Sequence, residues 1–309
     1  MATEEYQVGD KIRGDHEVVS VYRGNFGVVY ICKQELPGGK CLTKAIKTFR
    51  NSGSALCKGL FERELSFWSS LPPHPNVVQA RDADTVNQFL ILEYVYGPNL
   101  MHVARHSPVH PRWFLKWARE IASGLAFLHE HEFVHRDLRP ENVLVDMPRD
   151  LTAKITDLGI GKPFDPKDAE HTVIGTHRYM APEVHEARTD YRSDIFTYGA
   201  TLYFLLSGRN AVRLTTKRPL DIRPLEDFRL GIPEDTSRFV GRCLDRDPGA
   251  RFASMAAVVE ALNQLEEWPV EYVPFEKCRE HDYFFFREPS KPASCPFCVF
   301  ASSSSHGTS

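Results

Sequence analysis

Apolar positions change their period along the chain, and the change divides it. β-branched runs at residues 18–21 and 28–31, a Pro37-Gly38-Gly39 turn and a renewed run at 41–49 make residues 16–48 read as strands. A helical stretch is expected at about 60–69 and a further strand pair between residues 77 and 94. Beyond Gly97-Pro98 the pattern shifts: Phe114, Trp117, Ile121, Leu125 and Leu128 recur at spacings of three and four, which predicts an amphipathic helix over 111–131. After about residue 183 the chain reads mostly as helix, ending near Trp268. Strands followed by helices imply an α+β architecture of two lobes, residues 1–95 and 96–268. No internal repeat is visible. Residues 269–300 form a separate small segment, and the Ser-rich end, 301–309, reads as a disordered tail.

Composition narrows the partners more than the fold. A net charge of −3 over 309 residues offers no basic footprint for nucleic acid or an anionic membrane. The start, Met1-Ala2-Thr3-Glu4-Glu5, is acidic and lacks the order of a signal peptide. The longest apolar stretch, around 198–206, is far short of a membrane span. Four of the seven cysteines (Cys32, Cys41, Cys57 and Cys243) are scattered singly, which implies reduced thiols and a cytoplasmic setting. Oligomeric state has no signal in the sequence.

The densest chemistry lies at 135–142, His-Arg-Asp-Leu-Arg-Pro-Glu-Asn, followed fifteen residues after the Asn by Asp157-Leu158-Gly159. Moving a phosphoryl group requires an acceptor for the hydroxyl proton and oxygen ligands for Mg²⁺. Asp137 can serve as the base, and Asn142 and Asp157 as metal ligands. Upstream, Val21-Tyr22-Arg23-Gly24-Asn25-Phe26-Gly27-Val28-Val29 is a turn with little side-chain bulk at Gly24 and Gly27, of the kind that lets backbone N–H groups approach phosphate. Alone it is also an ordinary hairpin. Ala45-Ile46-Lys47 on the next strand adds a cation, and Glu64 on the following helix is a candidate partner for it, with Glu62 competing.

Together these motifs resemble the eukaryotic-type protein kinase family, in its Ser/Thr-specific branch. The resemblance implies a bilobal kinase-like fold, ATP and Mg²⁺ as cofactors, and transfer of the γ-phosphoryl group to Ser or Thr of protein substrates, the chain itself among them. It places Lys47 on the α/β-phosphates with Glu64 as its partner, and Arg139 near the γ-phosphate. Val21, Gly24, Phe26, Gly27, Val29, Ala45 and Leu144 would surround the nucleotide. Leu92 would be the gatekeeper, with backbone groups of Glu93 and Val95 reading the adenine edge. Gly175-Thr176 before Tyr179 and Ala181-Pro182-Glu183 favours Ser/Thr over Tyr as acceptor, and Thr172 matches the usual activation-loop phosphosite, where a phosphate can pair with Arg136. Glu183 and Arg251 resemble a buried ion pair, and 193–199 the helix that anchors the catalytic loop.

The chain departs from the family pattern at Tyr22 (for Gly), Arg139 (for Lys), Leu158 (for Phe) and Phe196 (for Trp). If position 22 needs φ > 0, a non-Gly residue there costs roughly 1–2 kcal/mol, about a factor of ten in nucleotide binding. Tyr22 and Arg139 keep a catalytically weak pseudokinase scaffold open as an alternative. A small-molecule phosphotransferase shares the base and metal acids, and a zinc-binding adaptor rests on the tail alone.

That tail carries Cys278-Arg279-Glu280-His281, thirteen further residues, then Cys295-Pro296-Phe297-Cys298. Two ligand pairs at this spacing can converge on tetrahedral Zn²⁺ through three thiolates and one imidazole. Free thiols or a Cys295–Cys298 redox pair are the plainer readings. A closed Cys₃His site has no open coordination position, so such a metal would be structural.

Overall fold

The computed structural model describes residues 5–24, 27–49, 65–84, 88–105, 109–158, 179–186, 190–211, 225, 231–268, 275–278, 280–281, 284–286 and 295–305. The chain forms two compact units: the first runs to Val95 and also takes in Leu158 and Ser305, and the second begins at Tyr96 and holds the other described residues.

The first unit is an antiparallel sheet of β1 (Lys11–Ile12), β2 (His16–Arg23), β3 (Gly27–Leu36), β4 (Lys40–Phe49), β5 (Ala80–Asp84) and β6 (Phe89–Glu93), in the order β1-β2-β3-β4-β6-β5. Because side chains alternate across a strand, the β-branched runs supply two different faces. Val18, Val28, Tyr30, Cys32, Ile46 and Ile91 share one buried cluster, with Tyr6 set edge-on to Tyr30 and Phe89. The intervening residues Val29, Ala45 and Lys47 belong to the opposite face, where Lys47 Nζ lies 5.8 Å from the Trp68 ring. Trp68 is in a helical stretch at 65–70 and donates its indole N–H to Val78 O.

The second unit is mainly helical: α1 (Leu100–Ala104), α2 (Pro111–Glu130), α3 (Tyr191–Ser207), α4 (Glu234–Cys243) and α5 (Met255–Leu262), with a hairpin of β7 (Val143–Asp146) and β8 (Thr152–Ile155). Pro111 opens α2 at a position where its missing N–H costs nothing, and His110 Nδ1 accepts from Arg112 N. Its predicted apolar stripe is buried. In α3 the burial goes all round, from Ser193 to Leu206, so the longest apolar stretch of the sequence is a core helix. A reciprocal Asp190/Ser193 capping box starts α3. Among the described residues no helix is long and apolar enough to cross a membrane.

Near the C-terminus, β9 (Phe275–Lys277) and β10 (Phe284–Phe286) pair antiparallel, and α6 spans Pro296–Ser305. Residues 301–305, expected in a disordered tail, are therefore helical. Ser composition alone suggests disorder; a Pro at the first helical position and the apolar turn that follows give this helix a start the composition does not report.

Candidate active site

The segment 135–142 runs from the end of α2 to β7 and closes with a 3₁₀ turn at Pro140–Asn142. Asp194, fully buried in the first turn of α3, fixes it: Oδ2 accepts from His135 N at 2.7 Å and Oδ1 from Arg136 N at 2.8 Å. His129 Nε2, at the end of α2, lies 2.9 Å from the same Oδ2. Burying a carboxylate is tolerable only with such partners. The bonds also hold Arg136 at φ 64, a left-handed conformation that costs a non-Gly residue roughly 1–2 kcal/mol.

Within this frame Asp137 and Asn142 form a unit. Both are buried, and Asn142 Nδ2 donates to Asp137 O at 2.8 Å and to Asp137 Oδ2 at 3.0 Å. With its amide nitrogen so engaged, Asn142 has its oxygen to offer a cation. The hairpin register converts the fifteen-residue separation into proximity. Val143 pairs with Ile155, Thr156 N donates to Asn142 O at 2.9 Å, and Asp157 follows at φ 59. Arg139 Nε and Glu141 Oε2 are buried atoms 3.8 Å apart, and neither has a hydrogen-bond partner among the described residues.

Residues 96–99 run beside this hairpin: Met147 N donates to Tyr96 O, Val145 N to Pro98 O, and Asn99 bridges to Leu144. A Cβ on Gly97 would sit 1.8 Å from Val145 O, so only glycine fits that approach.

In the sheet unit, Val29 pairs with Lys47 and Ala45 with Leu92, which gathers these residues on one face. Val29 and Ala45 are half-buried and Lys47 is buried. Val21 is not brought to them; it pairs with Tyr30 and packs against the core cluster on the other face. Gly24 N donates to Gly27 O at 2.9 Å, closing the turn. Tyr22 lies in β2 opposite Val29 and is not among the positive-φ residues, so the conditional strain cost does not arise. Glu93 N donates to Gln79 O, and Glu93 Oε1 accepts from Gln79 N, fixing the end of β6. Val95 is buried and Leu144 half-buried. Phe26, Glu62, Glu64, Gly159, Thr172 and Thr176 lie outside the described residues.

The Glu183–Arg251 pair is formed and bidentate, at 2.7 and 2.8 Å, with Arg251 also bonded to Asp245 O and Arg192 O and stacked over Phe196. Phe196 thus has a specific role as the face under the guanidinium. Burial pushes the Glu183 carboxyl up, but its bonds to Arg251, to its own backbone and to Ser193 hold it below the usual value.

A family model described as the protein kinase domain matches residues 16–263. The chain belongs to the protein kinase domain family. Among curated relatives, the kinase domain is 28% identical to the serine/threonine-protein kinase PrkC of Bacillus subtilis, over 79% of this chain and 39% of that protein. It is 29% identical to the serine/threonine-protein kinase ATG1a of Arabidopsis thaliana, over 86% of this chain and 40% of that one. The kinase domain thus spans about two fifths of these relatives. In solved structures it superposes on Rad53 1–466, in complex with AMP-PNP, with a TM-score of 0.64 and 26% identity, covering 81% of this chain and 65% of that one. The fold is kinase-like.

The family match ends before the Cys/His segment, which forms a second centre. The ligand atoms of Cys278, His281, Cys295 and Cys298 all lie within 4.8 Å of one another and can hold a metal ion. Cys278 Sγ is 3.5 Å from both Cys298 Sγ and His281 Nδ1; His281 Nδ1 is 3.4 Å from Cys298 Sγ and 3.9 Å from Cys295 Sγ. Burial pushes the Cys278 thiol up, but bonds from His281 and the backbone outweigh it and bring it to about 7. Burial pushes Cys295 up to about 11, and burial with the neighbouring sulfurs raises Cys298. Three thiolates this close repel one another unless a cation lies among them.

The sequence reading missed His129 and the Tyr96–Gly97 segment. The His129–Asp194 contact links residues 65 apart, outside any local motif, whereas Gly97-Pro98 reads in the sequence only as a break.

Proposed function

We propose that the chain is an ATP- and Mg²⁺-dependent protein kinase acting on Ser or Thr hydroxyls of protein substrates, itself included. The observation that carries the reading is the Asp137–Asn142 unit, held by Asp194 and joined through Thr156 to Asp157. The donor set fits the cofactors: one amide oxygen and one carboxylate suit Mg²⁺, and the buried Arg139 Nε, which makes no hydrogen bond among the described residues and only a 3.8 Å ion-pair contact with Glu141, suits a phosphate oxygen. When bound, ATP supplies the activated phosphoryl group and Mg²⁺ screens its charge. Asp137 accepts the proton of the substrate hydroxyl at its carboxylate, with Asn142 Nδ2 keeping that carboxylate oriented. Asn142 and Asp157 would hold the metal, Arg139 would meet the γ-phosphate, and Lys47, with Glu64 as the partner the family resemblance implies, would align the α/β-phosphates. Val29 and Ala45 face the adenine from the sheet, and backbone groups of Glu93 and Val95 read its edge. Tyr22 gives no support to a pseudokinase, because its strand conformation is unstrained.

The free cysteines Cys32, Cys41 and Cys243 suit a cytoplasmic setting, and the net charge of −3 disfavours nucleic acid as partner. Mass spectrometry of the purified chain and a peptide library after incubation with Mg²⁺-ATP tests the activity. Phosphate on Ser or Thr is expected, absent in Asp157→Ala and strongly reduced in Lys47→Ala. Equal incorporation by wild type and Asp157→Ala would overturn the mechanism.

The Cys/His centre is best read as a structural zinc site. Tetrahedral Zn²⁺ with thiolate and imidazole ligands places sulfurs about 3.8 Å apart and sulfur about 3.5 Å from nitrogen. The Cys278–Cys298 separation of 3.5 Å and the sulfur–Nδ1 separations of 3.4–3.9 Å lie close to that shape, and all four ligand atoms are within 4.8 Å of one another. Elemental analysis should find about one zinc per chain, falling to near zero in Cys295→Ser/Cys298→Ser. No zinc in wild type purified without chelator would overturn the assignment.

A further inference from the structure

We infer that this metal acts as a clasp, holding α6 against the segment that joins the sheet unit to the helical unit and so steadying the hairpin beside Asn142 and Asp157. The inference rests on the zinc reading. About 30 residues, from Phe275 to Ser305, carry the two three-residue strands, the four ligands and one ten-residue helix. A unit below ~40 residues rarely folds on its own core. Nor is the helix self-sustaining: ten residues, four of them Ser, fall below the length at which isolated helices persist in water.

What fixes α6 is its first turn. Cys295 immediately precedes it and Cys298 lies within it, so two of the four ligands set its start. Phe297, between them, is fully buried with its ring 5.8 Å from the His281 ring. Phe300, two residues past Cys298, meets Tyr96 edge to face at 6.1 Å. Tyr96 is the first residue of the helical unit, and its carbonyl accepts from Met147 N at the end of β7. Val145 and Leu144 of that strand bond or bridge to Pro98 and Asn99, and the strand begins immediately after Asn142. A continuous series of contacts therefore runs from the metal ligands through Phe300 and Tyr96 to the strand that carries Asn142. The metal takes no part in phosphoryl transfer; it acts through position.

Hydrogen exchange of the full chain tests this, comparing zinc-loaded protein with protein stripped by a zinc-selective chelator and returned to Mg²⁺. Loss of zinc should speed exchange at residues 296–305 and, through the lost Tyr96 contact, about 2- to 10-fold at the amides of 145 and 147, the factor an aromatic pair supplies. Phe300→Ala should keep its zinc and show the same acceleration at 145 and 147. Zinc bound in wild type, with exchange at 145 and 147 unchanged both on stripping and in Phe300→Ala, would overturn the clasp while leaving the metal site standing. No zinc in wild type would overturn both.

Discussion

Asp137→Asn keeps the shape of the side chain and removes its basicity, so it separates the two things Asp137 does. Asn142 Nδ2 can still donate to the backbone oxygen of residue 137, and Asp194 still holds the loop, so the fold should survive. Turnover should fall about 10²- to 10⁴-fold, the usual size of a general-base contribution. KM for ATP should change little, and a steady-state assay with both parameters resolved checks the split. A second prediction concerns Tyr22, which the sequence marked as a defect in the phosphate loop. In the structure it is an exposed strand residue opposite Val29 without positive φ. Tyr22→Gly should therefore leave nucleotide affinity within about threefold, since Gly in a strand costs only roughly 0.5–1 kcal/mol and relieves no strain here; a tenfold gain measured by calorimetry would restore the original reading. Asp137, Asn142 and Asp157 were legible because their chemistry is compressed into short motifs. His129 was not, because a histidine at a helix end has no distinctive local pattern and meets Asp194 only through the packing of α2 and α3.

Among elements, the strands and long helices could be read because burial imposes a period. Alternation put Val28, Tyr30 and Ile46 in the core and left Val29, Ala45 and Lys47 for the opposite face. Val21 shows the limit: the register shift between Val18 and Ser20 inserts a residue in β2, and sequence spacing cannot announce which face the following side chains take. The 96–99 segment was likewise invisible as an element, since its pairing to β7 is made by backbone groups. Its requirement for glycine is sharp. Gly97→Ala would drive a methyl into Val145 O and must displace either Tyr96–Pro98 or β7. Overpacking of this kind costs about 1–3 kcal/mol, which urea unfolding should detect. Activity should fall further than stability does, because β7 begins next to Asn142. A variant with wild-type stability and turnover would show that the approach relaxes freely.

Across the whole molecule, the family match covers most of the chain but the chain covers only about two fifths of its curated relatives, so what is shared is the domain rather than the protein built around it. The stability of that domain should depend on pH through Glu183. Its side chain is one-tenth exposed, and Arg251 opposite it is fully buried, with their two bonds joining residues 68 apart. Removing one partner of a buried pair leaves the other uncompensated, a loss of about 3–5 kcal/mol, so Glu183→Gln should be clearly destabilised at pH 7. The sign of the pH dependence follows from the direction of the shift. Glu183 titrates lower when folded than its ordinary value of 4.5, so the unfolded chain binds its proton first as pH falls. Its contribution is therefore fully present above the ordinary value and is lost as pH drops through the lower folded one. Wild type then comes to resemble the variant, because a protonated Glu and a Gln are both neutral partners for Arg251. Urea unfolding at neutral pH and at several points below pH 4.5 should show the gap between wild type and Glu183→Gln narrowing on the acid side. A gap of constant size at every pH would mean that the pair stabilises the domain through packing and not through charge.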